Sequence, residues 1–242
     1  MNDRNDSPAA VKALCFDVFG TVVDWRGSVI RECEALSATK GLQVDCEGFA
    51  DAWRAGYQPA MAPVRENVRE YVHLDVLHRE ILDGLLPRFG LSGLNDEERR
   101  HLNRVWHRLD GWPDAAEGMR RLRERFLLAA LSNGHVALIV NMARHAGLPW
   151  DAPLGAEMAC QYKPRAEVYD TTIRMLGLLP QETMMVAAHN DDLRAARGRG
   201  MRTAFVARPT EYGPRQTVDL EPDEAWDVAA SDFLDLAAQL GC

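Results

Sequence analysis

Residues 13–24 read ALCFDVFGTVVD. An apolar run closes on one carboxylate, Asp17; a phenylalanine stands two places on, and a Gly-Thr turn follows. A short apolar run without polar alternation, bounded by a turn, is the pattern of a strand buried on both faces of a parallel sheet. Asp17 then stands at the strand's carboxyl end. In open α/β sheets such ends converge on a crevice outside the sheet, where ligands bind. The stretch raises one question of chemistry: what a single carboxylate does at the mouth of a strand when its neighbour, Phe19, is apolar.

Similar runs recur as FLLAALS at 126–132, MMVAAH at 184–189, TAFVA at 203–207 and WDVAA at 226–230. Amphipathic helical patterns lie between them: AAEGMRRLRERF (115–126), HVALIVNMARHAGL (135–148) and AEVYDTTIRMLGL (166–178). The last two stop near a glycine, as helix C-caps do. This alternation predicts an α/β chain with a Rossmann-like parallel-sheet core. Residues 25–112 differ in texture. They carry helical periodicity in SVIRECEALSATK, FADAWRAGYQPAM, YVHLDVLHREILDGLLPRF and DEERRHLNRVWHRL, and no convincing strand. The expected organisation is an α/β core of residues 10–24 and 113–242, with residues 25–112 inserted as a helical cap over the sheet's carboxyl edge. Hinges are expected near Val23 and Trp112-Pro113.

Composition narrows the class of function. The chain has 242 residues, 47% hydrophobic and 26% charged, as in an ordinary globular protein. A formal net charge of −8 leaves no basic face for phosphate backbones, which argues against nucleic acid as a partner. A small anionic substrate stays open, because a few local cations reverse the field inside a cleft. Five cysteines without C-x-x-C spacing read as reduced thiols of a cytoplasmic protein. The polar start MNDRNDSPAA lacks a leader-type apolar segment, and no stretch approaches the roughly 18 apolar residues of a membrane span.

Four separated segments place polar groups just after an apolar run or at a helix start: Asp17 with Thr21, Ser132 with Asn133, Lys163 with Tyr169, and His189-Asn190-Asp191-Asp192. With these motifs in view the chain resembles the haloacid dehalogenase (HAD) superfamily, and within it the L-2-haloacid dehalogenases of type II. The resemblance rests on DVFGTVVD (17–24), WR (53–54), LSNG (131–134), KPRAEVY (163–169) and AAHNDDL (187–193), in that order.

The resemblance implies that Asp17 is a nucleophile whose carboxylate displaces halide from carbon and forms an ester that water then cleaves. Pre-orienting that attack contributes about 7 to 11 kcal/mol in favourable cases. The plain alternative is a turn-capping Asp. The superfamily's phosphatases usually carry a second Asp where Phe19 stands, to protonate a leaving alkoxide. Phenylalanine cannot, and general acid catalysis is worth about 10²- to 10⁴-fold. Halide leaves without a proton, so Phe19 favours carbon–halogen chemistry. Family dehalogenases commonly have Tyr here, and simple core packing is the alternative for Phe19. The resemblance further implies that Lys163 holds the charge of Asp17, at roughly 4 kcal/mol for about 4 Å and an effective dielectric of 20 before desolvation. Tyr169 would aim at the same charge and Thr21 would hydrogen-bond it. Ser132 would help bind the substrate carboxylate, Asn133 the halide, and Val18 and Phe19 would line the site. Arg54, in the cap, would read the halide or acid group beside Trp53 or Tyr57. Against these stand an ordinary Ser-Asn-Gly turn and a solvated helix Arg.

The segment 187–193 departs most from the family pattern, which has Ser at the place of Ala187 and Asn at that of His189. Asp192 is expected to direct the hydrolytic water, with His189 sharing that work or binding halide when protonated. The reading is a cofactor-independent hydrolase with no metal, taking a small 2-haloacid and water, releasing halide, and assembling as a homodimer through the apolar stretch Tyr71–Phe89. Asp191 and Asp192 also resemble an acidic pair that binds Mg²⁺, so an Mg²⁺-dependent phosphatase or phosphonatase is the alternative. A third reading is a binding protein that has lost its chemistry.

Overall fold

The computed structural model describes residues 10–242. The polar start of the chain, residues 1–9, and the expectation that it carries no leader lie outside the described residues. The chain enters through β1 (Ala13–Phe16), every residue of which is buried. It turns at Gly20, where φ is +90° and a Cβ would fall 2.1 Å from Oε1 of Glu211, so only glycine fits. After β2 (Val23–Asp24) come α1 (Trp25–Lys40), α2 (Cys46–Ala55), α3 (Tyr57–Arg65), α4 (Leu74–Leu85), α5 (Asp96–Asn103) and a 3₁₀ turn, Arg104–His107. The short β3 (Asp110–Gly111) then pairs antiparallel with β2, closing the helical insertion at its base.

The remainder alternates: α6 (Ala115–Arg123), β4 (Leu127–Ser132), α7 (Val136–Ala146), β5 (Ala152–Gly155), α8 (Ala156–Ala159), α9 (Ala166–Leu176), β6 (Thr183–Ala187), α10 (Asn190–Arg197), β7 (Arg202–Val206), β8 (Val228–Ala230) and α11 (Phe233–Gln239). Among the described residues the main sheet has six strands, all parallel, in the order β5-β4-β1-β6-β7-β8. Because β1 pairs with β4 on one side and β6 on the other, the loops leaving these three strands meet above Asp17.

Alternation along β1 divides the core. Cys15 faces a layer with Val168 and Ile173 of α9 and Leu193 of α10. Leu14 and Phe16 face a larger cluster that includes Phe233 and Met119, and that continues through Trp106 into Trp53, Leu77 and Leu82 of the insertion. The helices and the sheet therefore share one apolar cluster.

Each expected strand forms with its bounds shifted by at most two residues, and α7 and α9 end at Gly147 and Gly177 in the left-handed conformation, as expected. β5, APLG, was not expected: it contains Pro and Gly and no β-branched residue, and it survives because an edge strand tolerates proline. The segment FADAWRAGYQPAM is two helices and not one. The break falls at Gly56, where α4 packs so closely that a Cβ would meet Ile81 at 2.6 Å. The apolar face of α4, expected to serve a dimer, is spent within the chain: Leu74, Leu77 and Leu82 are buried.

Candidate functional site

Asp17 follows β1 directly, and its backbone N–H donates to the carbonyl of Val186 on the neighbouring strand at 3.0 Å. Its Oδ1 accepts from Lys163 Nζ at 2.8 Å; its Oδ2 accepts from Thr21 Oγ1 at 2.8 Å and lies 3.1 Å from Nδ1 of His189. Burial by itself would raise the pKa of this carboxyl. Lys163 and His189 outweigh it and hold Asp17 well below the usual carboxylate range, hence ionised. Thr21 also accepts from the Ala188 amide, which locks the turn against the loop after β6.

Lys163 reaches in from the loop before α9, anchored where its backbone N–H donates to Asn133 Oδ1 at 2.8 Å. Its ammonium is shared between Asp17 and Asp192, with Asp192 Oδ2 at 2.5 Å. Burial would lower the lysine pKa, but the two carboxylates push it above its ordinary value. Tyr169 was expected to address Asp17. It donates instead to Asp192 Oδ1 at 2.5 Å, because its position on α9 sets the hydroxyl over the first turn of α10. Burial, together with the nearby charge of Asp17, raises the pKa of Asp192 despite Lys163.

His189 closes the other side. Its Nε2 lies 2.8 Å from Oε2 of Glu211, a carboxylate only 1% exposed that also accepts from Trp25 Nε1 at 3.0 Å. Burial would depress the imidazole pKa, but Glu211 and Asp17 carry it well above the ordinary value, so the ring is charged in the resting site.

A cavity of about 930 Å³ opens over Asp17. Phe19 forms one wall, edge-on to Tyr57 and Trp106 with ring centroids 6.2 and 6.0 Å away. Arg54, at the end of α2, lies over Tyr57 at 4.3 Å and Trp25 at 5.3 Å. Its Nη1 is buried and has no hydrogen-bond partner. An unpaired guanidinium nitrogen beside an apolar wall is a costly arrangement unless an anion completes it. Asn133 and Tyr57 also line the cavity.

Two expected positions lie away from the cavity. Ser132 is fully buried, and its Oγ accepts the Gly134 amide at 3.0 Å, the turn geometry named as its alternative. The Val18 side chain is also fully buried, while its carbonyl accepts the amides of Val22 and Val23. The Mg²⁺ alternative needs Asp191 and Asp192 turned together toward Asp17. Asp191 instead has its side chain 96% exposed, paired with Arg194, and the ammonium of Lys163 already bridges Asp17 and Asp192. That donor set does not fit a hard divalent cation. Glu211 was not singled out from sequence; it stands in PTEYG, a loop without periodicity. Arg208 escaped notice too, though it is 6% exposed and grips Asp114 with both terminal nitrogens at 2.7 and 2.8 Å while donating to the Thr21 carbonyl.

Comparison with known proteins adds to this geometry. Residues 11–200 match the family model of the haloacid dehalogenase-like hydrolases. A solved structure described as a defluorinating L-2-haloacid dehalogenase is 45% identical, with a TM-score of 0.93 and 96% of each chain covered. Another L-2-haloacid dehalogenase is 49% identical, with the same TM-score, over 96% of this chain and 99% of its own. The (S)-2-haloacid dehalogenase 4A of Burkholderia cepacia is 27% identical over 212 residues, 84% of this chain and 87% of its own. The chain therefore belongs to the haloacid dehalogenase-like hydrolases, in the branch of the L-2-haloacid dehalogenases.

Proposed function

We propose that the protein hydrolyses short-chain (S)-2-haloacids to (R)-2-hydroxy acids through an ester on Asp17. The observation that carries this reading is the pairing of an ionised, doubly counter-charged Asp17 with Phe19 at the place where a proton donor for a poor leaving group would stand. The unpaired Nη1 of Arg54 takes the substrate carboxylate or the departing halide, with Asn133 beside it. Asp17 attacks carbon two from the side opposite the halogen. A carbon–oxygen bond forms, the carbon–halogen bond breaks, and halide leaves with the electron pair.

Ester formation removes the charge of Asp17, one of the two that keep His189 protonated. The ring then releases its Nδ1 proton to solvent, keeps Nε2–H on Glu211, and presents a lone pair beside the ester carbonyl. Water attacks that carbonyl carbon as Nδ1 takes one of its protons. The bond from the carbonyl carbon to the substrate oxygen then breaks, and the imidazolium passes its proton to the departing alkoxide to give the 2-hydroxy acid. The remaining carboxyl proton returns to Nδ1, leaving Asp17 as carboxylate and His189 charged. The net release is one halide and one proton. Lys163 remains paired through Asp192, which Tyr169 holds in place. Every group in the scheme is a side chain, so no cofactor enters it.

In this reading residues 25–112 are the cap that supplies Arg54 and Tyr57 to the core formed by 10–24 and 113–242. The cytoplasmic reading rests on five free thiols, three of them buried, and the homodimer on the family resemblance; light scattering of the purified chain tests the latter. No helix among the described residues is long and apolar enough to cross a membrane. The deciding experiment incubates the protein with L-2-chloropropionate and a chelator and follows chloride. Release is expected, and none with Asp17→Asn. Phosphate-ester turnover that needs magnesium would overturn the reading. Fluoro-, chloro- and bromoacetate in the same assay rank the halogens.

A further inference from the structure

A second group of polar side chains is buried where the helical insertion meets the sheet. Asp75 stands in the first turn of α4, His107 ends the 3₁₀ turn before β3, and His135 precedes α7 on the loop leaving β4. His107 and His135 are each 3% exposed. Nε2 of His107 lies 2.9 and 3.0 Å from the two oxygens of Asp75, and Nε2 of His135 lies 3.6 Å from Oδ2 of the same carboxylate. One donor atom from each of the three residues falls within 4.8 Å of the other two. Among the described residues the Asp75 carboxylate pairs with these imidazoles and with no lysine or arginine.

The spacing fits a small ion. Zinc takes imidazole nitrogen at about 2.0–2.1 Å and carboxylate oxygen at about 2.0–2.2 Å, which sets tetrahedral ligand atoms about 3.3–3.5 Å apart. The observed separations bracket that range. The surroundings also resemble the outer shell of a metal site. Asn141 Nδ2 lies 3.0 Å from Nδ1 of His107 and as placed donates to it; with that amide flipped, its carbonyl would accept from Nδ1–H and leave Nε2 bare toward the ion. His73 stacks on His135, centroids 4.6 Å apart and planes 7° from parallel, and is itself held by Glu157 at 3.2 Å. Asp75 keeps 31% of its side chain exposed, which supplies an entry path and room for a water as fourth ligand. Two imidazoles and one carboxylate suit zinc and its borderline neighbours and offer too few oxygens for calcium or magnesium.

We propose that Asp75, His107 and His135 bind a divalent transition cation of the zinc class, which clamps α4 and the 3₁₀ turn to the loop after β4. That loop also carries Asn133 into the catalytic cavity, and Trp106, adjacent to His107, packs on Phe19. The clamp holds the cavity wall from behind and takes no part in bond making. It is independent of the proposed function.

The test strips the full chain with EDTA, removes the chelator and titrates with zinc by calorimetry and with Co²⁺ by visible absorbance. Expected are one zinc per chain, the intense bands of four-coordinate cobalt, and a higher melting temperature with zinc. His135→Ala and Asp75→Asn, once shown by circular dichroism to be folded, should lose the cobalt bands and more affinity than the about 10- to 100-fold typical of an outer-shell change. Absence of uptake by the wild type, a weak six-coordinate cobalt spectrum, or folded variants with undiminished affinity would each overturn the site. Should the variants not fold, wild-type stoichiometry and the cobalt spectrum decide alone.

Discussion

Glu211, itself buried, and the part-buried His189 form an ion pair, Oε2 to Nε2 at 2.8 Å, and the opposite nitrogen of the same ring faces the nucleophile. The carboxylate stabilises the imidazolium, so its removal must lower the His189 pKa. In Glu211→Gln the ring titrates at lower pH, by NMR of its carbon-bound protons, and the acid limb of kcat moves the same way. The rate at the optimum falls as well, because the ring loses its orienting charge. An unshifted His189 would separate the pair from the chemistry.

His189→Ala leaves the displacement step intact and slows ester hydrolysis by about 10²- to 10⁴-fold, the usual worth of a positioned proton acceptor. Rapid-quench halide measurements should show a burst equal to the enzyme present. Mass spectrometry should find the acyl adduct on Asp17.

Arg54→Met keeps an unbranched apolar stem and removes the unpaired donor. A hydrogen bond to a charged group is worth about 1.5–3 kcal/mol, so kcat/KM for a haloacid should fall about 10- to 100-fold. Chloride inhibition should weaken in parallel if Arg54 also receives the halide.

Arg208 and Asp114 form a buried two-pronged pair that also fastens α11 through the Phe233 amide at 2.8 Å. Removing one partner of such a pair costs about 3–5 kcal/mol, so Arg208→Met should unfold at markedly lower urea. Burial would raise the pKa of Asp114, but Arg208 depresses it. The group therefore stabilises the fold above the unfolded-state value of about 3.9, and that contribution is lost as pH falls through the lower folded-state value. The difference between wild type and Asp114→Asn should shrink in acid below about pH 4.

Strand ends were legible because burial on both faces leaves a simple mark, and the groups that follow β1, β4 and β6 could be named before their distances were known. Direction was less legible. Nothing in the spacing of Lys163 and Tyr169 tells which of two carboxylates the phenol meets, since that depends on the seating of α10 against α9. Ser132 carries signals for a ligand and for a turn together, and its Oγ accepts the Gly134 amide as a turn serine does. Glu211 meets Trp25 across 186 positions and His189 across 22. Only Gly20, whose missing side chain makes room for that carboxylate, left any trace of it. Asp75, His107 and His135 follow no spacing rule either, since they come from three elements joined by tertiary packing alone.

The apolar cluster that runs unbroken from Phe16 through Trp106 to Trp53 and Leu77 makes the two halves of the molecule inseparable. A chain trimmed to the sheet alone would turn Phe19, which packs on Trp106 and Tyr57, toward water and aggregate. Acid and halide then enter and leave through a cavity whose lining mixes Arg65, Arg165 and Arg194 with Asp191 and Asp219.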